Sequence, residues 1–223
     1  MMKEYNSLLA AAERYQNAQC FIFDMDGLIF DTELIFMNQL AVVMAEKGYS
    51  LSRKVYEDSL GMAGEPLKQL MLSEYGSEYP FEEMGEKSRK MVDVIADTVG
   101  LPVKPQIRSL LKWLKEQGIV CAVASSSQSD VVRHYLEKAE LLSFFREIIG
   151  GEMVERSKPE PDIFLLACEK CRVLPENAVV LEDSENGIRA AFAAGIPSIC
   201  VPDLKSPCEE VQKMTSAIVA RKE

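Results

Sequence analysis

The sequence predicts an α/β protein: a parallel β-sheet flanked by helices, with a block of helices inserted after the first strand. Three observations carry that expectation. Short apolar runs of strand length recur along the chain, separated by helical patterns long enough to cross over between parallel strands. The first run, Cys20-Phe21-Ile22-Phe23, is apolar at every position, as a strand buried on both faces must be. The long interval from Glu33 to Gly100 breaks the alternation and holds helical patterns with no strong strand.

Residues 1 to about 17 read as an extra amphipathic helix, with Leu8, Leu9, Ala12 and Tyr15 on one face. After the first strand, Asp31-Thr32-Glu33 is the expected exit hinge. Helices then run from Leu34 to Lys47, Pro66 to Tyr75 and Phe81 to Val99, stopped by Gly48, Gly76 and Gly100. Leu101-Pro102-Val103-Lys104-Pro105 is a stiff return linker. The expected domains are therefore a core of residues 1–32 and 101–223 and a helical domain of residues 33–100. Six of the eleven methionines (37, 44, 62, 71, 84 and 91) fall in the insertion, where they read as gap fillers between small helices. Pro105 opens a helix that runs to Gly118. Strands follow at Ile119 to Ala124, Glu147 to Ile149, Ala178 to Leu181 and Ser198 to Val201, with Ser184 capping a helix that stops at Gly195. Ser206-Pro207-Cys208-Glu209 is a capping-box pattern before a last helix.

At 223 residues and 48% apolar, the chain can bury one core and a smaller second lobe. Its net charge of -10, with no dense Lys/Arg cluster, repels polyanions, so neither nucleic acid nor an anionic membrane is an expected partner. Lys3, Glu4, Glu13 and Arg14 interrupt the first nineteen residues, leaving no apolar segment of the signal-peptide or membrane-spanning kind. A cytoplasmic monomer is expected. The six cysteines are expected as free thiols, three of them in or against strand runs. Cys168 and Cys171 have C-x-x-C spacing but no second pair or nearby His to complete a zinc site. His134, the sole histidine, sits mid-helix without a nucleophile signature and reads as a surface or boundary residue rather than part of a triad.

In an open parallel sheet, ligands bind at the carboxyl ends of the strands. There the sequence places Asp24 and Asp26, then Ser125-Ser126-Ser127, then Glu182-Asp183-Ser184, with Lys158 a short connection after the third run. Each residue alone could simply cap the following helix. Two acid pairs ending apolar strands are a different matter, since like charges packed together destabilise a fold unless a cation lies between them. A hard divalent ion such as Mg²⁺ suits all-oxygen ligands and a phosphate. Four carboxylates against Mg²⁺ and one ammonium leave the rim net negative, so phosphate oxygens would need neutral donors. Ser125, together with backbone N–H groups around Gly27 and Ser126, could supply them, Gly27 allowing close backbone approach.

These residues resemble the haloacid dehalogenase superfamily, in the branch of small-molecule phosphatases and β-phosphoglucomutase. The motifs are D-x-D-G-x-x-x-D-T at Asp24 to Thr32, strand-terminal Ser125, Lys158 before Pro159, and Glu182-Asp183-Ser184. The resemblance implies a Rossmann-like parallel core with a mobile helical cap at 33–100, hinged near Asp31 and Thr32. It implies Asp24 as nucleophile forming an aspartyl-phosphate, and Asp26 as general acid and then base. Ser125, Ser126, Gly27 and Lys158 would bind the phosphoryl group. Asp24, Asp183, Glu182 and the backbone carbonyl of Asp26 would hold Mg²⁺. The expected substrate is a small phosphorylated metabolite, of the sugar-phosphate kind.

The similar mutases carry a His where Phe36 stands, an Arg near Gly64 of Gly61-Met62-Ala63-Gly64, and a Lys where Gln128 stands. Without the Arg, a bisphosphate loses a bidentate anchor, which favours a phosphatase over a mutase. A signalling receiver also uses strand-end acids, a hydroxyl and a Lys, but needs about half this length and no insertion. A phospho-ligand binder without catalysis would lack the nucleophile or the acid, and both are present.

Overall fold

The computed structural model describes residues 3–59, 62 and 64–220. Gly61 and Ala63, aligned above with the mutase loop, lie outside the described residues, as do the ends of the two terminal stretches. The chain divides into two compact units, one of residues 1–30 and 102–223 and one of residues 31–101.

The first unit is built on a seven-stranded parallel sheet. Its strands are β1 (Lys3–Tyr5), β2 (Cys20–Phe23), β3 (Val120–Ala124), β4 (Glu147–Ile149), β5 (Ala178–Glu182), β6 (Ser198–Cys200) and β7 (Ala217–Val219). They lie in the order β1-β7-β6-β5-β2-β3-β4. Helices α6 (Ile107–Glu116), α7 (Ser129–Lys138), α8 (Asp162–Cys171), α9 (Glu185–Ala193) and α10 (Glu209–Gln212) make the crossovers, and α1 (Leu8–Ala12) precedes β2. Every residue of β2 is buried. Beneath the sheet, Ile163, Phe164, Ala167 and Cys171 of α8 pack on Ile22, Ala122, Ala124 and Val180 in one core cluster. Each large side chain so buried is worth about 1.5–3 kcal/mol.

Register carries the chemistry. Phe23 pairs with both Val123 and Leu181, so the next residues, Asp24, Ala124 and Glu182, come level at the carboxyl edge. The strand order reverses at β2, between β3 and β5, and a parallel sheet opens its crevice at such a switch point.

The second unit comprises α2 (Thr32–Glu46), α3 (Arg53–Ser59), α4 (Gly64–Tyr75) and α5 (Phe81–Thr98). Met37, Met44, Met71 and Met84 are buried in its core with Leu40, Val43, Val55 and Leu67. Of these four helices, α3 had no counterpart in the sequence pattern, being a seven-residue helix with one buried apolar residue among its described side chains, Val55.

Three local expectations are corrected. The N-terminal segment is not one helix: Lys3–Tyr5 pairs as an edge strand on Ala217–Val219, and the helix is the five-residue α1, whose N-cap Ser7 accepts from Ala10 N–H. Leu8 and Ala12 are buried as expected, but α1 stops short of Tyr15. The last helix is a single turn with Cys208, not Ser206, at its N-cap, and the Cys208 N–H is taken by Glu185 Oε1 at 2.8 Å. The helix expected from Pro105 starts at Ile107, after Gln106 adopts φ 75° and accepts the Leu8 N–H through its side chain at 2.7 Å. Among the described residues no helix is long and apolar enough to cross a membrane. All six cysteines are free, and Cys208 alone is exposed. His134 is half-buried on α7 beside Tyr135.

Candidate active site

Asp24 follows the last residue of β2, and its N–H extends the ladder to Leu181 O at 3.0 Å. The residue is buried, 6% exposed. Lys158 arrives from the loop before α8 and donates to three acceptors: Asp24 Oδ1 at 2.5 Å, Glu182 Oε2 at 2.9 Å and Ala124 O at 3.2 Å. Its ammonium also lies 4.8 Å from the Phe164 ring centroid. Three donors thus meet three acceptors, which is what a buried ammonium requires.

Glu182, the last residue of β5, is held at its other oxygen by Ser184, whose N–H and hydroxyl donate to Oε1 at 3.1 and 2.8 Å. Ser184 also accepts the Gly187 N–H, capping α9. Beside it, Asp183 Oδ1 is buried without a hydrogen-bond partner. Asp24, Glu182 and Asp183 each present an oxygen, all within 4.8 Å of one another.

Three carboxylates around one ammonium are under-compensated. Burial, then the Glu182 charge, push the Asp24 carboxyl up to about 8, against the pull of Lys158. Burial, Glu182 and Asp24 hold Asp183 well above the usual carboxylate range. Burial works against the Lys158 charge, but Asp24 and Glu182 outweigh it and raise its pKa. A dication fits this donor set: hard oxygens, excess negative charge and an unpartnered buried carboxylate oxygen. Glu182 keeps a second lone pair on each oxygen, so its bonds to Lys158 and Ser184 do not bar it as a ligand.

Asp26 turns the other way. Its Oδ2 accepts from Ser127 Oγ at 2.8 Å and Ser125 Oγ at 3.3 Å. Ser125 is fully buried at the end of β3, and its hydroxyl accepts the Ser127 N–H at 3.1 Å. Ser126 is exposed. The Gly27 N–H is given to Phe30 O at 3.0 Å. The absence of a side chain at position 27 also leaves room for Asp183, since a Cβ there would overlap its carboxylate.

In the helical unit, Asp31 occupies the N-cap position of α2 without a side-chain capping bond, and Thr32 is buried as the first residue of that helix. Phe36 packs partly buried against the unit's own core, and Gly64 opens α4 with φ 59°. Gln128 is exposed at the N-cap of α7.

Sequence reasoning missed three groups here. Ser127 was visible only as one of three serines. Phe164, under Lys158, gave no local signal. Asp203 lies a few residues past β6, where the strand-end rule would have found it; it is ion-paired with Lys104, and its charge adds to the shift of Asp183.

The chain belongs to the haloacid dehalogenase-like hydrolases, whose family pattern matches residues 21–201. It is an enzyme of the phosphatase kind, as its relatives are. A probable pseudouridine-5'-phosphatase of Drosophila melanogaster is 30% identical over 205 residues, 89% of this chain and 88% of that protein. Hexitol phosphatase B of Escherichia coli K12 is 33% identical over 188 residues, 81% of this chain and 82% of that protein. Among solved structures, CbbY from Rhodobacter sphaeroides in complex with phosphate has a TM-score of 0.74 at 26% identity, covering 90% of this chain and 93% of that one. A putative β-phosphoglucomutase from Thermotoga maritima shares the fold at TM-score 0.74 and 24% identity, over 91% and 94% of the two chains.

Proposed function

We propose that the protein is a Mg²⁺-dependent phosphomonoester hydrolase for a small phosphorylated metabolite, of the sugar-phosphate class, working through an aspartyl-phosphate on Asp24. The observation that carries this reading is the strand-end cluster of Asp24, Lys158, Glu182 and Asp183, with Asp24 at its centre. The phosphorylated carbohydrate and nucleotide-like substrates in the names of the relatives support the substrate class.

Asp24 attacks phosphorus while Asp26 gives its proton to the departing ester oxygen; Asp26 then takes a proton from the water that cleaves the acyl phosphate. Lys158 orients Asp24 and screens the phosphoryl oxygens, and Ser125 donates to one of them. Asp24, Asp183, Glu182 and the backbone carbonyl of Asp26 would hold Mg²⁺, which when bound supplies charge neutralisation at the phosphoryl group. Substrate choice is assigned to the helical unit, with the cap hinge at Asp31 and Thr32. A mutase reading is disfavoured by Phe36, Gly64 and Gln128, which leave a distal phosphate without the family's His, Arg and Lys.

Phosphate release from a panel of sugar phosphates, with Mg²⁺ and with chelator, tests the reading, using Asp24→Asn as control. Mg²⁺-dependent release that Asp24→Asn abolishes is expected. Conversion of glucose 1-phosphate to glucose 6-phosphate, primed by the 1,6-bisphosphate and faster than phosphate release, would overturn it.

A further inference from the structure

We propose that Arg156 is a positioning residue for Lys158: its forked bond to Asp162 closes the loop between β4 and α8 and fixes where the lysine enters the strand-end cluster. This deepens the hydrolase reading and rests on Lys158 orienting Asp24 in it.

Lys158 crosses from the surface to the core within one side chain. Its neighbours Ser157, Pro159 and Glu160 are exposed, whereas its own side chain is 6% exposed and its ammonium meets Asp24, Glu182 and Ala124 O. Those bonds hold the head of the side chain, and the exposed backbone around its base is held from Arg156. Arg156 Nε donates to Asp162 Oδ2 at 3.0 Å and Nη2 to Asp162 Oδ1 at 2.6 Å, a two-point bond that sets distance and orientation together. Asp162 is a firm anchor. It is the first residue of α8, whose Ile163, Phe164 and Ala167 are packed in the core, and Phe164 lies under the Lys158 ammonium. Inside the loop the Glu160 N–H donates to Ser157 O at 3.0 Å, and Arg156 Nη1 stands 3.4 Å from Glu160 Oε2. One guanidinium thus gathers residues 156 to 162 into a closed ring with Lys158 at its middle.

The Arg156 side chain is 61% exposed, and an ion pair so exposed adds little to stability. Its effect should therefore show in the placement of the lysine rather than in melting.

The test acetylates the Mg²⁺-loaded protein with a low dose of acetic anhydride and reads each lysine by mass spectrometry, beside kcat for p-nitrophenyl phosphate. In the wild-type protein Lys158 should be protected, while Lys170, exposed on α8, should react freely. Arg156→Ala should raise the rate at Lys158 roughly 3- to 30-fold, the span from an exposed pair to a charge-assisted hydrogen bond, and leave Lys170 unchanged. It should lower kcat about tenfold, the scale of a slightly misplaced reacting group, and the melting temperature by less than about 4 °C. Arg156→Lys keeps the charge without the fork and should resemble the alanine variant. A wild-type pattern for Arg156→Lys would mean that charge alone holds the loop, and would overturn the proposal. Arg156→Ala with Lys158 still protected would also overturn it, as would lost protection with unchanged kcat. A matching rise in the reactivity of the five buried cysteines would signal general loosening and count against it equally. If the wild-type protein releases phosphate from no ester, the hydrolase reading fails, and the protection of Lys158 still decides whether the fork holds the loop.

Discussion

Gly27 and Asp183 share one space: the carboxylate of Asp183 occupies the volume a side chain at position 27 would need. Gly27 also holds φ 75°, which costs an L-residue about 1–2 kcal/mol. Gly27→Ala should therefore displace Asp183 and weaken the fold by at least that amount. Urea unfolding and Mg²⁺ titration should both register it, and a variant that binds Mg²⁺ normally would contradict the packing. Gly187 stands in the same relation to Glu182.

Lys158 neutralises a buried acid pair, so Lys158→Met should be severe. Removing one partner of a buried ion pair costs about 3–5 kcal/mol, measurable by chemical denaturation in the absence of metal. Added Mg²⁺ should restore part of that loss, because a dication can take over the compensation. Loss below about 1 kcal/mol, the range of exposed pairs, would mean the cluster is more hydrated than its burial indicates.

Metal and pH should act on stability through the same acids. Asp24, raised to about 8 by burial and Glu182, binds its proton more tightly in the folded than in the unfolded chain. Its contribution is complete below the ordinary carboxylate pKa of about 4, and is lost as pH rises through about 8. Asp183 is shifted in the same direction. The surface carboxylates lowered by cationic partners, such as Glu82 and Glu83, act in the opposite sense and at lower pH. Metal-free protein should thus melt progressively lower from pH 5 to 8, and Asp24→Asn should flatten the slope. Mg²⁺ at a hundred times its Kd should add about 2.7 kcal/mol, and Asp183→Asn should abolish that gain while leaving the apo protein at least as stable. An apo melting temperature that rises across this range would contradict the charge balance described.

Thiol accessibility offers a check on the core. With Cys208 exposed and the other five cysteines buried, one thiol should react rapidly with a disulfide reagent in native protein and all six after unfolding. A second fast thiol in the native state would show that the sheet core opens locally.

Much of this was legible in the residues themselves. Cys20-Phe21-Ile22-Phe23 followed by Asp24 is a local pattern with one economical solution, a buried strand delivering an acid to its carboxyl end. The glycines at 48, 76 and 100 stop helices wherever they sit in space, so the helical insertion could be read with them. Strands β1 and β7, paired at one edge of the sheet, could not. Lys3-Glu4-Tyr5 has no apolar face, with Lys3 and Glu4 exposed, and it is a strand only because Ala217–Val219 offers a parallel edge.

The chain's own order of residues thus determined which strands carry acids and which family pattern they complete, because burial and helix punctuation act over a few neighbouring positions. Tertiary structure alone decided how those acids are shared out. The register of β2 between β3 and β5 gives Lys158 to Asp24 and Glu182, leaves one Asp183 oxygen without a partner, and selects Ser127 over Ser126 for Asp26. Hydrogen bonds depend on distance and direction to within a few tenths of an ångström, and no pattern of residue types carries that information.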